Sequence, residues 1–231
     1  MNTSRAVAFN NAGVLCLQEG IMQVAIELFT GAMEIMLASI RGASEATDGS
    51  KPSHQLRHIA LADAHMEKLT SYFMDKHVHK GCGGLTDRES YSTDFYLYDK
   101  CFRIDESLCV ESGDEDQDFL HRKKITTSVV FNLALTMQIR DPTSSKPLTL
   151  YKLVMTLLRG SNVGILGIAV INNIAIWSVD NHDFHGAQRC FERLSAIMQE
   201  RGSLVRPDER DGFYFNLVYL LVPPSVTSPA A

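Results

Sequence analysis

Asn10-Asn11-Ala12-Gly13-Val14-Leu15-Cys16 and Asn172-Asn173-Ile174-Ala175-Ile176-Trp177-Ser178 open two stretches that align without a gap. The offset is 162 residues, the step from Asn10 to Asn172. The first stretch runs on through Gly20, Ala25, Phe29 and Ala32 to Met36, the second through His182, Ala187, Phe191 and Leu194 to Met198. Each has a small residue (Gly13, Ala175), another small one twelve positions later (Ala25, Ala187), and Phe four positions beyond that (Phe29, Phe191). Small residues let two helices approach closely, and a Phe four residues after the second lies on the same helical face to fill the wedge. Each stretch therefore predicts a helical hairpin that cannot cover its apolar face alone.

This pattern resembles the tetratricopeptide repeat family, with Gly13, Cys16, Gly20, Ala25, Phe29 and Ala32 on its signature positions. The second copy departs at His182, where glycine is usual, and at Leu194, where alanine is usual. A third unit lies between them: Val129 to Leu135 matches the first helix and Leu148 to Val154 the second, with Tyr151 in the Phe place. Its turn, Asp141 to Pro147, holds two prolines that suit a helix break. The resemblance implies a mostly α fold, a solenoid of about three hairpins in a single domain spanning 1–231, with units at about 6–40, 127–159 and 168–201. It leaves an insertion at 42–120, a capping helix at 207–222 and a disordered tail at 223–231.

Within the insertion, Gly42 to Ser53 reads as a polar linker. Gln55 to His77 reads as an amphipathic helix, with Ile59, Ala62, Met66, Leu69 and Phe73 at steps of three or four. Lys80 to Ser92 reads as a glycine-bearing loop. Thr93 to Ile104, with Phe95, Tyr96, Tyr98 and Phe102, predicts a strand or short hairpin. Asp105 to Asp118 is acidic and leads into His121-Arg122-Lys123-Lys124, as a solvated loop entering a helix would; Ser112 within it would suit an acidophilic kinase. Arg206-Pro207-Asp208-Glu209 is a helix start, followed by aromatic and aliphatic residues at helical spacing.

The whole chain has 231 residues, 45% hydrophobic and 21% charged, with net charge −5, an ordinary core-forming composition. Mild acidity argues against nucleic acid, whose phosphates call for a basic stripe. The uncharged run Gly160 to Val179 carries polar residues and reads as a loop followed by a buried helix, not a membrane span. Five cysteines with no CxxC and no signal sequence suggest reduced thiols in a cytoplasmic setting.

No hydrolase elbow, zinc-protease motif or phosphate-cradling loop occurs, so no enzyme and no cofactor are expected. His54, His58 and His65, and His77-Val78-His79 with Cys82, form loose clusters without the second ligand pair that a zinc site needs. The recurring asparagines carry the sharper expectation. Asn11, Asn132 and Asn173 each stand two residues before the small-residue step on a first helix. Resemblance to long arrays with an asparagine ladder implies that their amides grip the backbone of an extended peptide; the alternative is that each bonds a neighbouring helix inside the stack. The positions that bind carboxylate termini in some family members hold Asn10, Val14, Ala169 and Asn173 here, with no cation. Val14, Leu17, Leu135 and Ile176 are the expected apolar lining of a peptide groove. The expected function is a non-catalytic scaffold or adaptor that binds a protein, as a peptide or partner helix, in a concave groove. The alternatives are a small enzyme with a reactive thiol or His site, and a homodimerising structural module.

Overall fold

A computed structural model describes residues 2–42, 55–76, 95–109, 113–159 and 164–220. The protein is mostly α-helical, and among the described residues there is no strand. The chain divides into two compact units. One comprises Met1–Glu89 with Lys100–Arg159, the other Ser90–Asp99 with Gly160–Ala231.

The first unit contains α1 (Asn2–Gln18), α2 (Met22–Gly42), α3 (Gln55–Lys76), α4 (Glu115–Arg140) and α5 (Lys146–Leu157). α1 pairs with α2, and α4 with α5, while α2 also packs on α3 and α4. The wedge logic operates at α1–α2: Phe29 is fully buried, and a methyl on Gly13 would stand 2.7 Å from its ring. Gly31 does the same for α3, where an added methyl would meet the Ala62 side chain at 2.8 Å. Tyr151 fills the corresponding place in α5: it is buried against Phe131, and its hydroxyl donates to Gln138 Oε1 at 2.8 Å. α4 begins earlier than the 127–159 unit because Asp114 caps it, accepting from Asp116 N, with Glu115, Asp116 and Asp118 against the helix dipole. Ala25, Leu28, Ala32, Met36, Val129 and Leu133 are buried with Phe29 in one hydrophobic core.

The second unit contains α6 (Ile165–Asp180), α7 (Phe184–Arg201) and α8 (Pro207–Leu217). α6 pairs with α7, and α8 packs on α7. Ala175, Ala187, Phe191 and Leu194 are all fully buried. The departure at His182 leaves the turn unchanged. After α1, Gly20 N donates to Leu17 O and Ile21 N to Cys16 O; after α6, His182 N donates to Val179 O and Asp183 N to Ser178 O. Both are the glycine-type helix stop with paired 5→2 and 6→1 bonds. Gly20 takes φ +77° and His182 is forced to φ +61°.

One expectation needs correcting. The aromatic stretch Phe95–Ile104 runs extended, but among the described residues it pairs with no strand and makes no hairpin. Its backbone hydrogen bonds go to side chains instead. In α8 Phe213 is buried, whereas Tyr214 and Phe215 are 44% and 57% exposed. The linker 43–54, the loop at 80–92, Ser112 and the tail at 223–231 lie outside the described residues. α2 contains one window, Met22–Ser39, long and apolar enough to cross a membrane by composition, and it is 44% buried within the protein. α6 is the buried helix expected in the uncharged run.

Candidate functional site

An extended backbone buried away from water must find partners for its N–H and C=O groups. In the first unit the partners of residues 102 and 104 are asparagine amides. Phe102 N donates to Asn132 Oδ1 at 2.9 Å, and Asn132 Nδ2 returns a bond to Phe102 O at 2.9 Å. Ile104 N donates to Asn11 Oδ1 and receives Asn11 Nδ2 on its carbonyl, both at 2.9 Å. Asn10 braces the pair: its Nδ2 donates to Phe102 O at 3.1 Å, and its Oδ1 accepts from Asn132 Nδ2 at 2.9 Å. The Phe102 ring meets Phe131 edge-on, 5.2 Å between centroids.

The second unit repeats the scheme on residues 96 and 98. Tyr96 N donates to Asn216 Oδ1 and Asn216 Nδ2 to Tyr96 O, both at 2.7 Å. Tyr98 N donates to Asn173 Oδ1 and Asn173 Nδ2 to Tyr98 O, both at 3.0 Å. Asn172 braces them, donating to Tyr96 O at 2.9 Å and accepting from Asn216 Nδ2 at 2.6 Å. The gripped residues alternate because a strand points the N–H and C=O of every second residue to the same side. Such a grip satisfies the main chain whatever the side chain is.

Side chains add selectivity in the second unit. A methyl on Gly212 would lie 2.5 Å from the Tyr96 ring, so that ring rests directly on the backbone of α8. Phe213 meets Tyr96 edge-on and stacks on Tyr98, at 5.6 and 5.7 Å between centroids. The buried Tyr98 hydroxyl bonds the Glu209 carboxylate, which is also buried and held by Arg206 Nη2 at 2.6 Å. Burial first, and the Glu209 charge second, push the Tyr98 phenol well above its ordinary range.

Asn11, Asn132 and Asn173 thus all hold the extended stretch, the first two in one unit and the third in the other. Asn10, Asn172 and Asn216 act with them and were missed as ladder members. The doublets Asn10-Asn11 and Asn172-Asn173 carried that signal, and so did the position of Asn216. It follows Asn173 by 43 residues, close to the 41 between Asn132 and Asn173. Val14, Leu17, Leu135 and Ile176 are buried. Val14, Leu135 and Ile176 each follow a ladder asparagine by three residues, on a stripe closed off from solvent, and Leu17 joins Val14 in the core of the first unit.

Two of the candidate histidines make contacts between helices. His58 faces Glu34 at 3.9 Å and His65 faces Glu27 at 2.5 Å, tying α3 to α2. His54, His77, His79 and Cys82 lie outside the described residues. Among the described residues no group of three or more His, Cys, Asp or Glu side chains could hold a metal. Burial pushes the Cys16 thiol up to about 11 and raises Cys109 and Cys190, which keeps them protonated and poorly nucleophilic. Compared with known protein families, curated proteins and solved structures, the chain matches none significantly.

Proposed function

We propose that this chain is a non-catalytic interaction scaffold of tetratricopeptide-like hairpins, working in the cytoplasm, whose asparagines grip the main chain of an extended peptide. The observation that supports this reading is the bidentate pairing of asparagine amides with alternate backbone residues within each unit, Asn132 and Asn11 with residues 102 and 104, and Asn216 and Asn173 with residues 96 and 98. Side-chain amides on helices are otherwise a rare way to satisfy an extended backbone, which usually pairs with a strand. The raised thiols speak for binding over covalent chemistry.

The test is native purification of the tagged chain from its own cells, with cross-linking of whatever co-elutes. A stoichiometric protein partner is expected. Repeated elution of the folded chain without one would remove the scaffold reading. A homodimerising module is the second reading, favoured by the exposed Tyr214, Phe215 and Val218 on one short helix. It requires sedimentation at micromolar concentration to show a dimer that Phe215→Ser abolishes.

A further inference from the structure

Within the second unit, the stretch from Phe95 to Asp99 is seated as a bound peptide would be. Three asparagines hold its backbone at residues 96 and 98. Gly212 makes room for one aromatic ring and Phe213 contacts both. A buried carboxylate, neutralised by Arg206, receives a phenol hydroxyl. The stretch is not itself part of a helix or strand, so every one of these contacts could be made by a separate chain. The backbone grip ignores sequence. The Glu209 carboxylate does not: a Phe in place of Tyr98 would leave one of its buried oxygens a partner short, which discriminates strongly between the two.

We propose that this half-site is a receptor for an extended peptide of the pattern aromatic-x-tyrosine, held in the resting protein by its own Tyr96-Leu97-Tyr98. The proposal rests on the scaffold reading and names its ligand class and its regulation. The resident stretch competes intramolecularly, because it belongs to the same chain as its receptor residues. An incoming segment of the same pattern takes its place only when the partner supplies further contacts or is locally concentrated. β-augmentation satisfies an incoming strand through a sheet edge; here amides on helices play that part, so the ligand needs an extended backbone and no neighbouring strand.

The test uses the full chain with Tyr96→Ala and Tyr98→Ala together, which weakens the resident stretch and leaves the receptor residues intact. The probe is a fluorescein-labelled synthetic peptide of residues 95–100, titrated by anisotropy against the variant and the unaltered chain. Binding to the variant at least tenfold tighter than to the unaltered chain is expected. A peptide with Phe at the Tyr98 place should bind the variant at least tenfold more weakly than the tyrosine peptide. Equal binding to both chains, or no binding to a folded variant, overturns the proposal. If circular dichroism shows the variant unfolded, hydrogen exchange on the unaltered chain decides. Amides of Tyr96 and Tyr98 exchanging faster than those of Val170 and Ile171 in α6 support exchange of the segment. Amides released only with α6, in one global opening, overturn it. A stoichiometric partner that co-purifies while these peptide experiments fail leaves the scaffold standing and removes only this site.

Discussion

The two asparagine triads grip the same atoms of different residues. Asn10, Asn11 and Asn132 hold residues 102 and 104; Asn172, Asn173 and Asn216 hold residues 96 and 98. In each case a doublet on one helix and a single amide on another divide the work identically, down to the bracing bond between them. What surrounds the triads differs. The single amide of the first unit stands on α4, which has α5 as its partner, whereas that of the second stands on α8, whose outer face is bare. Ile104 fills its place with hydrocarbon; Tyr98 brings a hydroxyl that needs the buried Glu209. Pairing of asparagine amides with the backbone is thus common to both units, and the second has in addition a buried hydrogen bond between side chains.

Removing the shared wedge has the largest expected effect. Phe29→Ala and Phe191→Ala should each destabilise by about 3–5 kcal/mol, measured by denaturant unfolding. A loss under about 1 kcal/mol at either position would break the equivalence of the hairpins. The triads come next. Asn132→Ala orphans Phe102 N–H and the Asn10 carbonyl oxygen, and Asn216→Ala orphans Tyr96 N–H and the Asn172 oxygen. With one buried and one part-buried group deprived of a bond in each case, both should cost about 2 kcal/mol, and to a similar extent. A near-neutral result at one of them would show that its unit tolerates water in the ladder.

Tyr98→Phe probes the difference instead. Losing the bond to a buried carboxylate should cost about 2 kcal/mol near neutral pH, with no counterpart at Ile104. The pH dependence has a definite sign. A phenol whose native value is raised stabilises fully below its ordinary value of about 10 and loses that stabilisation as pH climbs through the native one. Cys16, raised from 9.0 to about 11, gives its own decline across that interval, so the informative quantity is the difference between the two proteins. That difference should narrow above about pH 10; parallel curves would refute the buried phenol. The smallest effect is at the turns. His182→Gly relieves a left-handed backbone at some cost in chain entropy and should stabilise by about 0.5–1 kcal/mol. Gly20→Ala, where an added methyl meets nothing within 4 Å, should lose about 1 kcal/mol through backbone strain alone.

The helices were legible because close helix contact restricts residue size at fixed steps, and Gly13, Ala25 and Phe29 display that restriction plainly. The aromatic stretch was legible as extended but not as to its partner. Alternation records which side of a strand is covered, and Asn132 or Asn216 can satisfy a backbone as well as another strand can. Asn216 escaped because the apolar residues around it read as the inner stripe of a cap. Tyr214 and Val218 turn outward, and Asn216 and Phe213 turn in. Glu209 looked like a first-turn acid serving the helix dipole; its burial beside Tyr98 depends on contacts far away in the chain.

The order in which the polypeptide is made gives the ladder a further consequence. Tyr96 leaves the ribosome 120 residues ahead of Asn216, the amide that will clasp it. At ~5–20 residues per second the interval is on the order of ten seconds. For that time a run of aromatic side chains is made without the amide that will hold it. Asp99, Lys100 and Arg103 interrupt it, as charged gatekeepers do in segments prone to self-stacking.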